Sequence, residues 1–401
     1  MSTEANDNVT ITAQCLCKAH TFSTEVARSS LPLEGNFCHC HSCRHLTGAM
    51  YSSCTLWPGP GDEIQQSSLK AYVFSNRLHA LFCGTCSSKM FWQVQPDKPD
   101  DPFEYEVFTG TLSNLDIPTL VQFSHQIFVG DTLDGGASPW LRTPNQNGAV
   151  ARRWLAHSEK SQEIDGDWPS IDSLPEATVK AELEDIPIRC CCKGVDLVLR
   201  RSNVEFAETP RSELPWFVDP VTRKGMASFD VCNSCRRQCG SDIFHWTFSL
   251  LRQVGFPQKA TPGTQQGGSS FPVTSSELRD AVTTSAQSRD PRFGTLTLYA
   301  SSPDVQRYFC SRCSASVFYC VDDRPDTTDI ALGLLEAPSG ARAEEVVSWS
   351  LGSNAAHRGD MAGGWRDGHM NAVESAAEAW RVARKYPKHW RTVEKEEAMR
   401  G

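Results

Sequence analysis

Residues 37–44 read FCHCHSCR and place three cysteines, Cys38, Cys40 and Cys43, within six positions. Two cysteines separated by one or two residues can direct both sulfur atoms to one metal ion from a single tight turn. The metal ligand is the thiolate, so this spacing favours reduced cysteines. The stretch therefore predicts a metal site with three thiolates, one ligand short of the tetrahedral set that zinc adopts.

Two further cysteine pairs flank this triad. A C-x-C pair, Cys15 and Cys17, precedes it, and a C-x-x-C pair, Cys83 and Cys86, follows it. Together the two pairs provide four thiolates from distant parts of the chain. A closed set of four ligands is typical of structural zinc, whereas an open position is what catalysis at zinc requires. We predict a structural zinc on the two pairs and a catalytic zinc on the triad.

The same order of motifs occurs again later in the chain, which indicates an internal repeat. Three segment pairs carry it: QCLCK (14–18) with RCCCK (189–193), FCHCHSCR (37–44) with FDVCNSCR (229–236), and FCGTCSSKMF (82–91) with FCSRCSASVF (309–318). The second copy has one change among the ligands, because Asp230 occupies the position of Cys38.

The second copy predicts its own metal ligands. Four cysteines preserve the closed set: Cys190, Cys192, Cys310 and Cys313. A carboxylate can also bind zinc, so Asp230, Cys232 and Cys235 form a second site in which a hard oxygen replaces a soft sulfur. The resulting expectation is two zinc ions in the first half and at least one in the second.

Short segments dense in β-branched and aromatic residues predict strands. They are KAYVFSN (70–76), EYEVFTG (104–110), LVQFSHQIFVG (120–130) and FGTLTLYA (293–300). Only MNAVESAAEAWRVARKY (370–386) reads clearly as a helix. We therefore expect a mainly β protein with two tandem zinc-binding domains and a short C-terminal helix.

The predicted domain bounds follow from these segments. They are a first zinc domain at 11–142, a linker at 143–185, a second domain at 186–355 and a helical tail at 356–401. The second domain carries a low-complexity insertion near 257–290, whose segment 258–277 is rich in Gly, Ser, Thr, Gln and Pro and predicts a mobile loop.

The three cysteine motifs resemble those of the family of glutathione-dependent formaldehyde-activating enzymes and centromere protein V. The resemblance covers residues 11–142, including QIFVG (126–130) followed by Pro139 and Trp140, and extends more weakly over 186–340. It implies an Mss4-like β fold and the same division into structural and catalytic zinc. It also implies addition of glutathione to formaldehyde to give S-hydroxymethylglutathione.

The leading functional hypothesis is a zinc-dependent carbon-sulfur lyase that acts on a thiol or thiol adduct, with glutathione as co-substrate. One alternative is a zinc-stabilised protein-interaction module without catalysis, and another is a recruited small-molecule biosynthetic enzyme. A histidine could also close the triad site as a structural one, the candidates being His39, His41, His45 and His125. Arg44 is a candidate for binding a substrate carboxylate or for a surface ion pair.

Charge and hydropathy argue against nucleic-acid binding and against a membrane-bound or secreted protein. The chain has 401 residues, 17 cysteines and a formal net charge of -9, which offers no general attraction to nucleic acid. Without a basic, apolar N-terminal stretch or a run of eighteen apolar residues, we expect neither secretion nor a membrane partner. The expected location is the cytoplasm, with the nucleus as an alternative, and reduced thiols fit either compartment.

Overall fold

A computed structural model of the chain describes residues 7–98, 100–166, 168–169, 185–257 and 270–400. The protein is mainly β, as predicted, with two large sheets and two small ones. Among the described residues, none of the helices has the length and apolar character needed to cross a bilayer.

The first half contains ten strands and two short helices. They are β1 (Asn8–Gln14), β2 (Thr21–Ala27), β3 (Leu33–Cys38), α1 (His41–Thr47), β4 (Ser52–Leu56), α2 (Asp62–Gln66), β5 (Lys70–Val73), β6 (Leu78–Phe82), β7 (Lys89–Val94), β8 (Glu104–Phe108), β9 (Val121–Ile127) and β10 (Arg152–Arg153). Strands β1 and β2 form a separate hairpin, and the large sheet has the order β10-β9-β3-β4-β8-β7-β6-β5.

The second half contains ten strands and five helices. They are β11 (Asp185–Arg189), β12 (Asp196–Arg200), α3 (Ser202–Glu205), β13 (Gly225–Asp230), α4 (Asn233–Cys239), β14 (Phe244–Leu250), β15 (Val254–Gly255), α5 (Ser275–Thr283), β16 (Leu296–Ser302), β17 (Val305–Cys310), β18 (Ser316–Val321), β19 (Thr327–Ala331), β20 (Val347–Trp349), α6 (Trp365–Ala383) and α7 (Trp390–Ala398). Its large sheet has the order β16-β17-β18-β19-β14-β13-β20.

Apart from β10, which has no counterpart in the second sheet, the two large sheets share one strand order when each strand is matched to its counterpart in chain order. In both, the strand that leads into the triad motif pairs in parallel with a late strand, β3 with β9 and β13 with β20. It pairs antiparallel with the next strand on its other side, β3 with β4 and β13 with β14. The triad motif therefore lies at the end of an inner strand in each half.

Alternation along β3 determines the side of the sheet to which each residue belongs. Leu33, Gly35 and Phe37 are buried in the core, while Glu34 and Cys38 alternate with them and are more exposed. Because successive side chains of a strand point to opposite faces, Cys38 lies on the face opposite to Phe37, where it is half-buried at the edge of the core.

The helix after each triad strand has the same caps in both halves. In α1 the Sγ of Cys40 accepts a hydrogen bond from the backbone of Cys43, and Gly48 ends the helix at a φ of 82°. Cys232 and Gly240 play the same parts in α4. Glycine suits this left-handed position because it has no Cβ.

One main hydrophobic core includes residues of both halves, and a smaller cluster around Phe217 lies in the second half. Polar contacts cross the boundary as well, since Asp242 of the second half accepts hydrogen bonds from Ser53 and Thr109 of the first. Arg366 of α6 forms a fully buried ion pair with the same carboxylate at 2.7 Å. The C-terminal tail thus contributes to the boundary between the two halves.

Residues 143–166, interpreted as part of a linker, are packed against the first sheet. The side-chain amide of Asn145 exchanges two hydrogen bonds of 2.8 Å with the backbone of Phe123. Strand β10 extends the sheet beyond β9, and the following Trp154 is buried. An asparagine amide can replace a strand's backbone partner, which the sequence pattern did not indicate. Residues 170–184 of the predicted linker lie outside the described residues.

The last part of the predicted mobile insertion forms helix α5 in the structure. Thr274 and Glu277 form reciprocal hydrogen bonds that cap the N-terminus of α5. Leu278 and Val282 of this helix are buried. This capping box marks the start of a helix within a Ser- and Thr-rich segment. Residues 258–269 lie outside the described residues.

The C-terminal tail is more helical than the single short helix that was predicted. Helix α6 has 19 residues and begins before the predicted segment, and α7 follows it. Trp365 and Arg366, at the start of α6, are buried by contacts with the first half. Such contacts stabilise a helix whose first turn has no strong pattern of its own.

Candidate metal centres

The first four-cysteine set is assembled from two turns. Cys15 and Cys17 follow β1, and Cys83 and Cys86 connect β6 to β7. Their four sulfur atoms lie within 4.8 Å of one another, with Sγ–Sγ distances of 3.6 Å for Cys15–Cys17 and for Cys17–Cys83. Four sulfurs held 2.3 Å from one tetrahedral zinc would be about 3.8 Å apart, whereas a disulfide requires about 2 Å. The set therefore fits a zinc ion and does not fit a disulfide.

Backbone donors support the thiolate form in this set. The N–H of His20 donates to Cys15 Sγ at 3.3 Å, and the N–H of Cys17 donates to Cys86 Sγ at 3.4 Å. Hydrogen bonds from the thiols of Cys15 and Cys83 lower the pKa of Cys86 well below its usual range. Groups that donate to a thiolate stabilise the species that binds metal.

The corresponding set of the second half has the same geometry. Cys190, Cys192, Cys310 and Cys313 lie within 4.8 Å of one another. The Sγ of Cys192 is 3.6 Å from that of Cys190 and 3.5 Å from that of Cys310. These distances again match sulfur atoms around one tetrahedral ion.

The three triad cysteines also converge. Cys38 ends β3, Cys40 caps α1 and Cys43 is in its first turn, and their sulfur atoms lie within 4.8 Å of one another. Hydrogen bonds from the thiols of Cys38 and Cys43 lower the pKa of Cys40 to about 3. The thiols of Cys38 and Cys43 thus favour the thiolate form of Cys40, and the three sulfur atoms fit a zinc ion with one position open.

Within the part of the chain that the structure describes, the triad cluster contains no histidine. His39 is buried and its Nε2 is hydrogen-bonded to Gln126 Oε1 at 3.0 Å. His125 is bonded through Nδ1 to Ser124 at 2.8 Å. His41 and His45 belong to a different cluster. The structure therefore places none of these four histidines as a fourth ligand of the triad.

Arg44 is not a surface residue. It is buried, and its guanidinium donates to the backbone carbonyls of His39 and Asp131 at 3.3 and 3.4 Å. Its contacts bind the start of α1 to the loop after β9. The surface ion pair considered from the sequence is therefore incorrect.

A cleft of about 450 Å³ runs along the side of β3 that carries Cys38. Glu34 and Asn36, which alternate with Cys38, line it, as does Ile127, the strand partner of Cys38. Its charged or titratable lining groups are Glu34, Glu106 and His125, and none of the described lining residues is a lysine or an arginine. The cleft is therefore acidic, and none of the three triad cysteines is among its described lining residues.

In the second half, Asp230 occupies the position that Cys38 has in the first triad. Asp230 Oδ2 accepts a hydrogen bond from Cys235 Sγ at 3.3 Å, and Asp230 Oδ1 is 3.3 Å from Nδ1 of His357. Ligand atoms of Asp230, Cys232 and His357 lie within 4.8 Å of one another. Among the described residues this cluster does not include the predicted ligand Cys235, and its third member is His357, which the sequence motifs did not indicate. No motif marks it, because it is 127 positions from Asp230.

A buried arginine also lies beside this second cluster. Nη1 of Arg307 is 3.5 Å from the Sγ of Cys235. The sequence repeat aligns Arg307 with Ala80, so the first half has no cation at this point. A fixed positive charge beside this cluster offsets negative charge that a metal ion would otherwise offset.

Comparison with known proteins agrees with the geometry of the first half. Residues 10–131 match the model of a family described as glutathione-dependent formaldehyde-activating enzyme, a region shorter than half of the chain. It contains all seven cysteines of the first four-cysteine set and the triad. No curated protein and no solved structure matches the chain.

Proposed function

We propose that the first half is a zinc-dependent carbon-sulfur lyase that acts on a thiol or a thiol adduct. The observation that carries this proposal is the convergence of the sulfur atoms of Cys38, Cys40 and Cys43 within 4.8 Å of one another, because three ligands leave the fourth position of a tetrahedral zinc for substrate. The family match over residues 10–131 supports it. Zinc at this site would act as a Lewis acid that lowers the pKa of a bound thiol.

The reaction we propose is the addition of a thiol to formaldehyde and its reversal. The thiol sulfur forms a bond to the carbonyl carbon, the carbon-oxygen π bond breaks, and the thiol proton ends on the resulting hydroxyl. For glutathione the product is S-hydroxymethylglutathione. Glu34 and Glu106 are the carboxyl groups of the cleft and are the candidate proton carriers. Burial raises the pKa of Glu106, which favours proton exchange nearer neutral pH.

The charge of the cleft favours thiols that carry an ammonium group. Glu34 and Glu106 can pair with such a group, whereas the described lining offers no lysine or arginine to a carboxylate. Glutathione has one ammonium and two carboxylates, so its amino end is the part that this cleft would hold. A small aminothiol is the second substrate class that fits.

The experiment is exchange spectroscopy with ¹³C-formaldehyde and a thiol, measured together with the zinc content of the protein. Cys40→Ser should lose one zinc equivalent and the enzyme-dependent acceleration of adduct exchange. The control is Cys54→Ser, which removes a buried thiol that belongs to no metal cluster among the described residues. Unchanged zinc content and unchanged turnover in Cys40→Ser would contradict the proposal.

The second half favours a different role, the zinc-stabilised interaction module. Asp230 and Arg307 alter its triad, and His357 lies against Asp230. We propose one zinc on its four-cysteine set and no catalysis at Asp230. Cys232→Ser should then leave turnover unchanged, and a proximity-labelling profile should be the same for wild type and Cys40→Ser. A loss of turnover in Cys232→Ser would instead favour a second chemical site recruited for other small molecules.

A further inference from the structure

A third kind of ligand cluster lies where the two halves meet. His41 and His45 come from α1 of the first half, and Glu336 comes from the segment after β19 of the second. One ring nitrogen of each histidine and one carboxylate oxygen of Glu336 lie within 4.8 Å of one another. The ligand atoms of one zinc ion are usually about 3 to 4 Å apart. Small side-chain rotations would therefore bring these three atoms to metal-binding distance.

His45 has the hydrogen-bonding pattern of a metal-ligating histidine. Its Nδ1 is 2.6 Å from the carbonyl oxygen of Arg189, and because a carbonyl only accepts, Nδ1 must carry the proton. The ring is 2% exposed, and its Nε2 has no hydrogen-bond partner among the described residues. Metal-binding histidines commonly donate their second nitrogen to a backbone carbonyl, which fixes the tautomer and leaves the other lone pair for the metal.

The other two groups are placed to complete the site. His41 and His45 are four positions apart on α1, so they share one helix face, and their ring centroids are 3.9 Å apart. His41 is exposed, which gives an ion a path from solvent. The Oε2 of Glu336 accepts a hydrogen bond from Arg189 at 2.5 Å, and one carboxylate oxygen of Glu336 belongs to the cluster.

We propose that His41, His45 and Glu336 bind a divalent transition-metal ion across the boundary between the two halves. Two imidazoles and one carboxylate suit zinc, nickel or copper(II), and they leave a fourth position for water. The site uses none of the cysteine sulfurs and is independent of the proposed catalysis. Bound metal would connect α1, which carries the triad, to the second half.

The test is the number of zinc ions per full-length chain after equilibrium dialysis at a defined free zinc concentration. His41→Ala and Glu336→Gln should each lower this number by one relative to wild type. Both positions are partly or fully exposed, and the glutamine keeps the shape of the carboxylate, so the fold should survive and circular dichroism will check it. His79→Ala is the matched control, because it removes an imidazole from β6 that belongs to no metal cluster among the described residues.

Cobalt(II) substitution identifies the ligands of the ion that is lost. The difference spectrum between wild type and His41→Ala should contain d–d bands and no thiolate-to-cobalt charge-transfer band. The proposal is overturned if both variants keep the wild-type metal content. It is also overturned if the lost absorption includes the thiolate band, which would place the histidine in the cysteine site.

Discussion

The backbone N–H of Gly110 donates to the carbonyl oxygen of Gly240 at 2.9 Å and joins the two halves directly. Gly240 ends α4, the helix that follows the second triad motif. A Cβ on Gly110 would lie 2.5 Å from the carbonyl oxygen of Arg236 and from the carbonyl carbon of Gly240. The fit between the halves therefore leaves no room for even one methyl group at this point.

We expect Gly110→Ala to lower the free energy of unfolding by about 1–3 kcal/mol, because backbone atoms must move to admit the methyl group. The measurement is urea denaturation followed by tryptophan fluorescence. Gly359→Ala is the control, since nothing lies within 4 Å of its Cβ position. Equal stability of the two variants would contradict the close packing of the halves.

The structural four-cysteine set predicts a zinc-dependent fold. Cys17→Ser should remove one zinc equivalent and lower the melting temperature, because a structural zinc contributes its binding free energy to folding. Cys320→Ser is the matched control: its thiol donates to Thr328 at 3.3 Å, and a serine hydroxyl can do the same. Elemental analysis and thermal melts check both variants. A zinc-depleted Cys17→Ser protein with the wild-type melting temperature would rule out this role.

Asp329 predicts a pH dependence of stability. Burial raises the pKa of Asp329 to about 7, although Arg324 Nη1 lies 3.1 Å from its Oδ1 and opposes the shift. An unfolded aspartate has a pKa of about 3.9, so the folded state binds the extra proton between these values. The free energy of unfolding should therefore fall as pH rises from about 4 to about 7.

Asp329→Asn removes the titrating carboxyl group. The free energy of unfolding of the variant, relative to that of wild type, should therefore increase as pH rises from about 4 to about 7. Denaturation curves at several pH values measure the difference. Asp323→Asn is the control because Asp323 is an exposed turn residue nearby. A stability difference between wild type and Asp329→Asn that does not change with pH would show that the proton is not taken up there.

Removal of Arg307 should strengthen metal binding at the second triad. The double variant Asp230→Cys, Arg307→Ala has the first-half residues at both positions and loses the cation beside Cys235. We expect it to bind one more zinc than Asp230→Cys alone, because the guanidinium repels a divalent cation. Titration with a zinc-competing chromophore measures the difference. Equal zinc content would mean that Arg307 does not control the site.

The acidic cleft predicts a preference among thiols. Cysteamine, which carries an ammonium group, should react with a kcat/KM about fivefold higher than 3-mercaptopropionate, as expected for one partly exposed ion pair. Glu106→Gln should reduce this ratio, whereas Glu104→Gln, a change on the same strand to a residue that does not line the cleft, should not. An unchanged ratio in Glu106→Gln would remove the carboxylate from substrate binding.

Part of the candidate sites could be grouped from the sequence. The C-x-C and C-x-x-C spacings fix two sulfurs by the geometry of one turn, so Cys15 with Cys17 and Cys83 with Cys86 are local units that need only to meet. The structure brings those units together in each half. That these sets hold zinc, and that the triad is catalytic, stay predictions.

What the sequence by itself determined is therefore the mainly β character and the composition of the cysteine sets, because both depend on neighbouring residues and short-range periodicity. Only the tertiary structure placed His357 beside Asp230 and Glu336 beside His41 and His45. These groups are far apart in the chain and carry no local motif. Their proximity depends on how the two halves and the C-terminal tail pack, and that packing follows from the shared core as a whole.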